Sequence, residues 1–194
     1  MRLQLSSLLV LPILRALASQ SEQVVMDHDS VYVPQQSQRP SLADLLTIQS
    51  SASIFYSYAR ELETSTVFSS LTHEPVTLLV PTNKAVMSLS RKPHQGPVPI
   101  QDGVILTEQE YDSRSKENVE RWISAHIIPE SPISFDGRTY PTMLDGRSVM
   151  FELAEGGEPN EWSRAVLDGH VHIISKHEAS NGVLYFIDGT VSLD

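Results

Sequence analysis

The chain contains no cysteine, so neither disulfides nor cysteine-ligated metal can brace the fold, and the core must do so alone. It has no Asn-x-Ser/Thr acceptor, because Asn83, Asn118, Asn160 and Asn181 all lack Ser or Thr two residues on. It has no Arg-Gly-Asp. The reversed triplet Asp-Gly-Arg occurs at Asp136–Arg138 and Asp145–Arg147, where it reads as a turn followed by a solvated cation. Basic residues are scarce, 14 against 24 acidic, for a formal net charge of −10. Without a basic stripe to neutralise phosphates, nucleic acid and anionic membrane are poor partners.

Long apolar runs are missing too, except at the start. Arg2 precedes an apolar stretch, Leu3 to Leu14, which leads to Ala16-Leu17-Ala18 and then polar Ser19-Gln20. This is the pattern of a secretory signal peptide cleaved after Ala18. The alternative, an uncleaved anchor, is weakened by Pro12 and Arg15, since a spanning helix needs roughly 20 apolar residues. Residues 1–18 are therefore read as a leader and 19–40 as an extended, partly disordered lead-in. A single domain then occupies 41–194, with no integral membrane segment once the leader is removed.

What the domain does contain is ordered: helices first, strands later. Ser41-Leu42-Ala43-Asp44 opens a helix with a capping box, and Leu42, Leu45 and Leu46 share one face. A second helix from about Ser53 to Glu63 aligns Ile54, Phe55, Tyr58 and Leu62. The apolar run Val76–Val80 stops at Pro81, which lacks an N–H for strand pairing. Thr82 or Asn83 then caps a helix to about Ser90. Residues 91–115, rich in Pro and Gly and then in charge, read as a surface loop insertion. A third helix from about Lys116 to Ile128 carries the stripe Val119, Trp122, Ile123, His126 and Ile127, and Pro129 ends it.

Beyond Ser131, four Asp-Gly pairs (at Asp136, Asp145, Asp168 and Asp188) punctuate short apolar runs, as hairpin turns do. Strands are expected near Ser148–Leu153, Ala165–Leu167, His170–Ile174 and Val183–Ile187. Helices followed by antiparallel strands make an α+β domain.

Three segments in order then resemble the fasciclin domain family, over roughly Ser41 to Leu193. They are Thr77–Val86, Trp122–Pro129 around His126, and Asn181–Asp188. The long stretch 92–115 makes the chain most similar to single-domain fungal fasciclin proteins. The resemblance implies a fasciclin-like fold, in which antiparallel sheets form a wedge or sandwich with a helical layer. It also implies that Pro81, Thr82, Asn83, His126, Asn181, Gly182, Ile187 and Asp188 are structural signature residues, with His126 linked to the Pro-Thr-Asn junction. Ala125 stands where the family has Tyr, and Gly189-Thr190 where it continues with an apolar pair.

Chemistry has few candidates. His126 lies on an apolar stripe and reads as a buried, hydrogen-bonded residue, because no nucleophile is placed to make it a base. His170 and His172, two apart on a strand, share a face and with His177 form the best metal constellation, yet they lack a third ligand at a set spacing. Trp122 belongs to the core. Trp162, after an acidic loop, folds back on the domain or marks a contact. The expected function is a non-enzymatic interaction or adhesion module without cofactor. Its partner is a protein or cell-surface glycan, and its place is the secretory pathway, in the vacuole lumen or at the cell surface. The alternative is a small histidine-dependent metal-binding protein or enzyme.

Overall fold

The computed structural model describes residues 39–69, 74–96, 106–154 and 161–193. The leader and nearly all of the lead-in assigned from sequence lie outside the described residues, as do positions 97–105 of the expected loop. Helix α1 (Leu42–Ile48) starts as anticipated. The Ser41 hydroxyl accepts from the Asp44 N–H, and the Asp44 carboxylate accepts from the Ser41 N–H. A 3-10 turn (Ser50–Ala52) leads into α2 (Ser53–Ala59), and a second one (Glu63–Ser65) leads into α3 (Thr66–Ser69). Strand β1 (Val76–Pro81) is buried at every position. The Thr82 side chain caps the next helix, α4 (Asn83–Ser88), by accepting from the Ala85 N–H.

The expected loop 91–115 is structured at its described ends. Pro93–Gln95 form a 3-10 turn, and the following helix, α5 (Glu108–Ala125), begins about two turns before Lys116. A second capping box starts it, made by Thr107 and Glu110. Its early turns carry no apolar stripe, so periodicity gives them no signal, and the Thr107-x-x-Glu110 pattern that opens the helix went unread within the expected loop. The helix stops at Ala125, and the chain turns directly into β2 (Ile127–Ile128). Strands β3 (Thr139–Pro141) and β4 (Ser148–Leu153), helix α6 (Glu161–Arg164), and strands β5 (Ala165–Leu167), β6 (Val171–Ala179) and β7 (Gly182–Ile187) complete the fold.

The strands run in the order β2-β1-β7-β6-β5-β4-β3. Every pairing is antiparallel except β1 with β7, which is parallel in the register Leu78↔Leu184 and Val80↔Phe186. This one parallel pair departs from the all-antiparallel expectation. It is made between distant segments, which local patterning does not report. A bulge in β6 leaves Ile174 outside the ladder and about half exposed.

Side chains alternating along β1 and β7 separate two apolar clusters. Leu78, Val80, Leu184 and Phe186 meet the helices, joining Leu42, Phe55, Phe68, Trp122 and Ile123. Leu79, Tyr185 and Ile187 face the other way, towards Phe135, Tyr140, Phe151 and Leu167. The central pair is thus covered on both sides, which explains why its sequence is a continuous apolar run rather than an alternating one. Three of the four Asp-Gly pairs bring glycine to positive φ. At Asp168-Gly169 both residues have positive φ, forming a tight turn in which the Leu167 carbonyl accepts from the His170 N–H, and residues 168–170 join β5 to β6.

Candidate interaction surface and the anchors behind it

Two asparagines tie helix N-termini to other parts of the domain. Asn83, at the first position of α4, turns away from its own helix towards α2. Its Oδ1 accepts from the Ile54 N–H at 2.9 Å, and its Nδ2 donates to the Ser50 carbonyl and the Ser53 hydroxyl. Helix α2 has no side-chain cap of its own, since Ala52 occupies the capping position. Asn83 therefore supplies from another helix the acceptor that an N-terminus needs. Asn181 does the same for α1. Its Oδ1 accepts from the Leu42 N–H at 2.9 Å, while its Nδ2 donates to the Phe68 carbonyl at 2.8 Å. Its backbone carbonyl accepts from the Val76 N–H at the start of β1. Next to it, Gly182 has no room for a side chain, because a Cβ there would collide with the Val76 carbonyl oxygen.

His126 is fully buried at the C-terminus of α5. Its Nδ1 donates to the Trp122 carbonyl at 2.7 Å, and its Nε2 accepts from the Val191 N–H at 3.1 Å. Only the neutral tautomer protonated at Nδ1 satisfies both bonds. Burial lowers its pKa from 6.5 to about 4, against the opposing pull of the Trp122 carbonyl. The ring packs against Trp122 and Phe55, with centroids at 4.6 and 5.8 Å. The implied link to the Pro81-Thr82-Asn83 junction is not made by the ring. It runs through the backbone, where the His126 carbonyl accepts from Leu79 in β1.

The metal constellation does not converge. The Nδ1 of His170 bonds the Asp168 carbonyl, and His172 pairs with Asp188 at 3.1 Å. His177 reaches the Ser175 hydroxyl at 3.5 Å and packs on Phe186. His170 sits in the turn before β6 instead of on the strand. Among the described residues, no group of three or more His, Asp or Glu is placed to hold a metal ion. Asp188 accepts from the His172 N–H and donates its own N–H to the His172 carbonyl, while Ile187 is buried and accepts from the Thr82 N–H.

One anchor escaped the sequence reading. Arg147, expected as a solvated cation, is about four-fifths buried and pairs with Asp168. Its Nε donates to the Ser192 carbonyl, and Asp168 also accepts from the Met150 N–H. Together with His126, this pair pins residues 191–192 to the domain. Arg138, in the other triplet, remains exposed and lies near Glu130 and over the Tyr140 ring. Trp162 is half-buried against the second cluster, in keeping with the folded-back alternative.

With these groups turned inward, the concave polar surface lies around the Pro93–Gln95 turn. The Asn118 side chain donates to the His94 carbonyl, and Arg91 donates to the carbonyls of Gln95 and Gly96. Gly96 is at positive φ and lies so close to Asn118 that a Cβ would touch its amide. His94 is oriented by the Tyr58 hydroxyl, 3.1 Å from Nδ1, and burial raises the Tyr58 pKa. Between the turn and α5 lies a cleft of about 200 Å³, with Tyr111 and Arg114 on its helical wall. A second cleft, of about 370 Å³, lies on the other side of the turn, between Lys92, Trp122 and residues 190–193.

The fasciclin domain model matches residues 50–192 of the chain. A FAS1 domain-containing protein of Aspergillus fumigatus is 36% identical over 99 residues, covering 50% of this chain and 42% of that protein. One from Emericella nidulans is 27% identical over 166 residues, covering 79% of this chain and 62% of that protein. The chain thus spans less than two thirds of the length of these relatives. Among solved structures, a FAS1 domain pair from the insect cell adhesion molecule fasciclin I aligns with a TM-score of 0.51 and 14% identity. That alignment covers 80% of this chain and 51% of the other. With most of its length matched by the family model, the chain belongs to the fasciclin domain family.

Proposed function

We propose that the chain is a non-enzymatic interaction module of the secretory pathway, acting in the vacuole lumen or at the cell surface as an adhesion partner for a protein or glycan. One observation carries this reading. The polar side-chain atoms of Asn83, His126 and Asn181 are bonded to partners inside the domain, so the residues most typical of the family maintain the scaffold. His126 has both ring nitrogens engaged with backbone groups, which removes it as a base for catalysis. Recognition then falls to exposed groups around the Pro93–Gln95 turn and α5. The insect relative's role in cell adhesion supports the same class of function, and the leader-like pattern before Ser19 supports export.

The test is adhesion to a coated surface. Full-length chain is expressed in a secreting yeast, recovered from the medium and immobilised. It is expected to begin at Ser19 and to retain cells in a saturable way that soluble chain competes. Retention no greater than on an albumin-coated surface would overturn the reading. So would stoichiometric zinc or copper in tag-free protein, lost in the His170→Ala/His172→Ala double variant, which would favour the metal-binding alternative.

A further inference from the structure

We propose that Asn181 is a latent deamidation site, shut by the fold and opened by unfolding, whose conversion prevents the chain from folding again. Asn181-Gly182 is the one Asn-Gly pair of the chain, since Asn83, Asn118 and Asn160 precede Lys84, Val119 and Glu161. In deamidation the backbone nitrogen of the next residue attacks the asparagine side-chain carbonyl carbon, Cγ. Glycine leaves that nitrogen unshielded and the backbone free to bring it to Cγ, whereas a following side chain hinders both. The bond from the Gly182 nitrogen to Cγ forms, that nitrogen gives up its proton, and the Cγ–Nδ2 bond breaks with release of ammonia. Water then opens the resulting succinimide at either carbonyl, leaving aspartate or isoaspartate. No oxidant or reductant is needed.

The folded chain denies this reaction its geometry. Ser180 and Asn181 form the turn between β6 and β7, and three distant segments clamp it. The Ser180 N–H donates to the Pro40 carbonyl, and the Asn181 carbonyl accepts from the Val76 N–H. The Asn181 amide accepts from the Leu42 N–H and donates to the Phe68 carbonyl. Swinging Cγ onto the Gly182 nitrogen would break both of these amide bonds. Gly182 is itself paired with Ala179 on one side and Val76 on the other, pressed so closely on the Val76 carbonyl that its backbone has no room to turn. Asn181 is only 5% exposed, so the water that would open a succinimide is excluded as well.

Neither product can rebuild the junction. Aspartate replaces the Nδ2 donor by an acceptor oxygen that faces the Phe68 carbonyl, and it brings a negative charge to a buried position. Isoaspartate routes the main chain through the side-chain carbon. That lengthens the backbone at the turn and shifts Gly182 away from Ala179 and Val76. Either way the meeting point of α1, Phe68 and β1 is lost. Asn83 anchors helices in a comparable manner, but Lys84 follows it, so the hazard is confined to the second anchor. An unfolding event that outlasts the chemistry is thus written into the chain and is not reversed by refolding.

The experiment holds the purified full-length chain at mildly alkaline pH, in buffer or in guanidinium chloride, and follows each asparagine by peptide mass mapping. In denaturant Asn181 is expected to gain the mass of amide-to-acid conversion while Asn83, Asn118 and Asn160 keep their amides. In buffer the rate at Asn181 should be lower by about a hundredfold or more, set by the fraction of chains that open. Gly182→Ala, read in denaturant where its effect on folding is immaterial, should slow the conversion by about tenfold or more. After dilution from denaturant, converted chains should collect in the fraction that lacks the native near-ultraviolet circular dichroism. Isomerisation at the four Asp-Gly pairs leaves the mass unchanged and does not enter the count. Conversion in buffer within about fivefold of that in denaturant would overturn the proposal. So would faster conversion at another asparagine, indifference to Gly182→Ala, or converted chains that refold as well as unconverted ones.

Discussion

Acid should weaken this domain through one buried ring. His126 is enclosed at the end of α5, and its two hydrogen bonds require the neutral form. Folding lowers its pKa from 6.5 to about 4, so the unfolded chain takes up the proton first. The stability from this group is complete above pH 6.5 and is lost as the pH falls towards 4. Each pH unit in that interval is worth about 1.4 kcal/mol, so descending from pH 7.5 to 4.5 removes roughly 2.5 kcal/mol. The comparison is with His126→Gln, which cannot titrate but keeps an amide near the two backbone partners. Urea unfolding of both proteins across that range should show the wild type more stable at pH 7.5 and the gap narrowing by about 2.5 kcal/mol at pH 4.5. Other titrating groups act on both proteins and cancel in the difference. Should the variant fail to fold, the imidazole C–H signals of the wild type give the same answer, because His126 should stay neutral down to pH 5. A constant gap, or a His126 resonance titrating near 6.5, would refute the buried neutral assignment.

Three further outcomes follow from the anchors. Gly182→Ala places a methyl group against the Val76 carbonyl in the central strand pair and should cost at least about 3 kcal/mol in denaturant unfolding; a loss below 1 kcal/mol would mean that the strands separate easily. Asn181→Leu, close in size, leaves the Leu42 N–H and the Phe68 carbonyl without this partner, and about 3 kcal/mol should be lost. For Arg147 and Asp168, a double-mutant cycle with Arg147→Met and Asp168→Asn should return a coupling of about 2 kcal/mol that persists at high salt, because the pair is mostly buried. Coupling that vanishes in 1 M salt would place the pair effectively in solvent.

Much of the fold was legible because the relevant signals are local. Pro81 ended β1, Thr82 capped α4, and Asp168-Gly169 closed the β5–β6 hairpin, each through backbone chemistry confined to a few residues. The apolar stripe of α5 located His126 inside the core before any contact was known. What stayed hidden depends on distant segments. Asn83 looked like a cap for its own helix, but its amide serves α2, reaching Ile54. Arg147 follows a turn and looked solvated, because its partner Asp168 lies on another hairpin.

The parallel pairing of β1 with β7 has a kinetic consequence. Leu78 and Leu184 are separated by more than half the length of the chain, yet they lie side by side at the centre of the sheet. The first of these strands to be made must wait, apolar on both faces, until the second has followed it. Loop closure over that distance makes folding slow relative to a helical bundle of this size. During the wait, Val76 to Val80 is an unpaired, uncharged β-prone segment of the kind that recruits other chains. The domain's exposure to aggregation is therefore greatest before β7 is made, and chaperones acting on the nascent chain have β1 as their natural target.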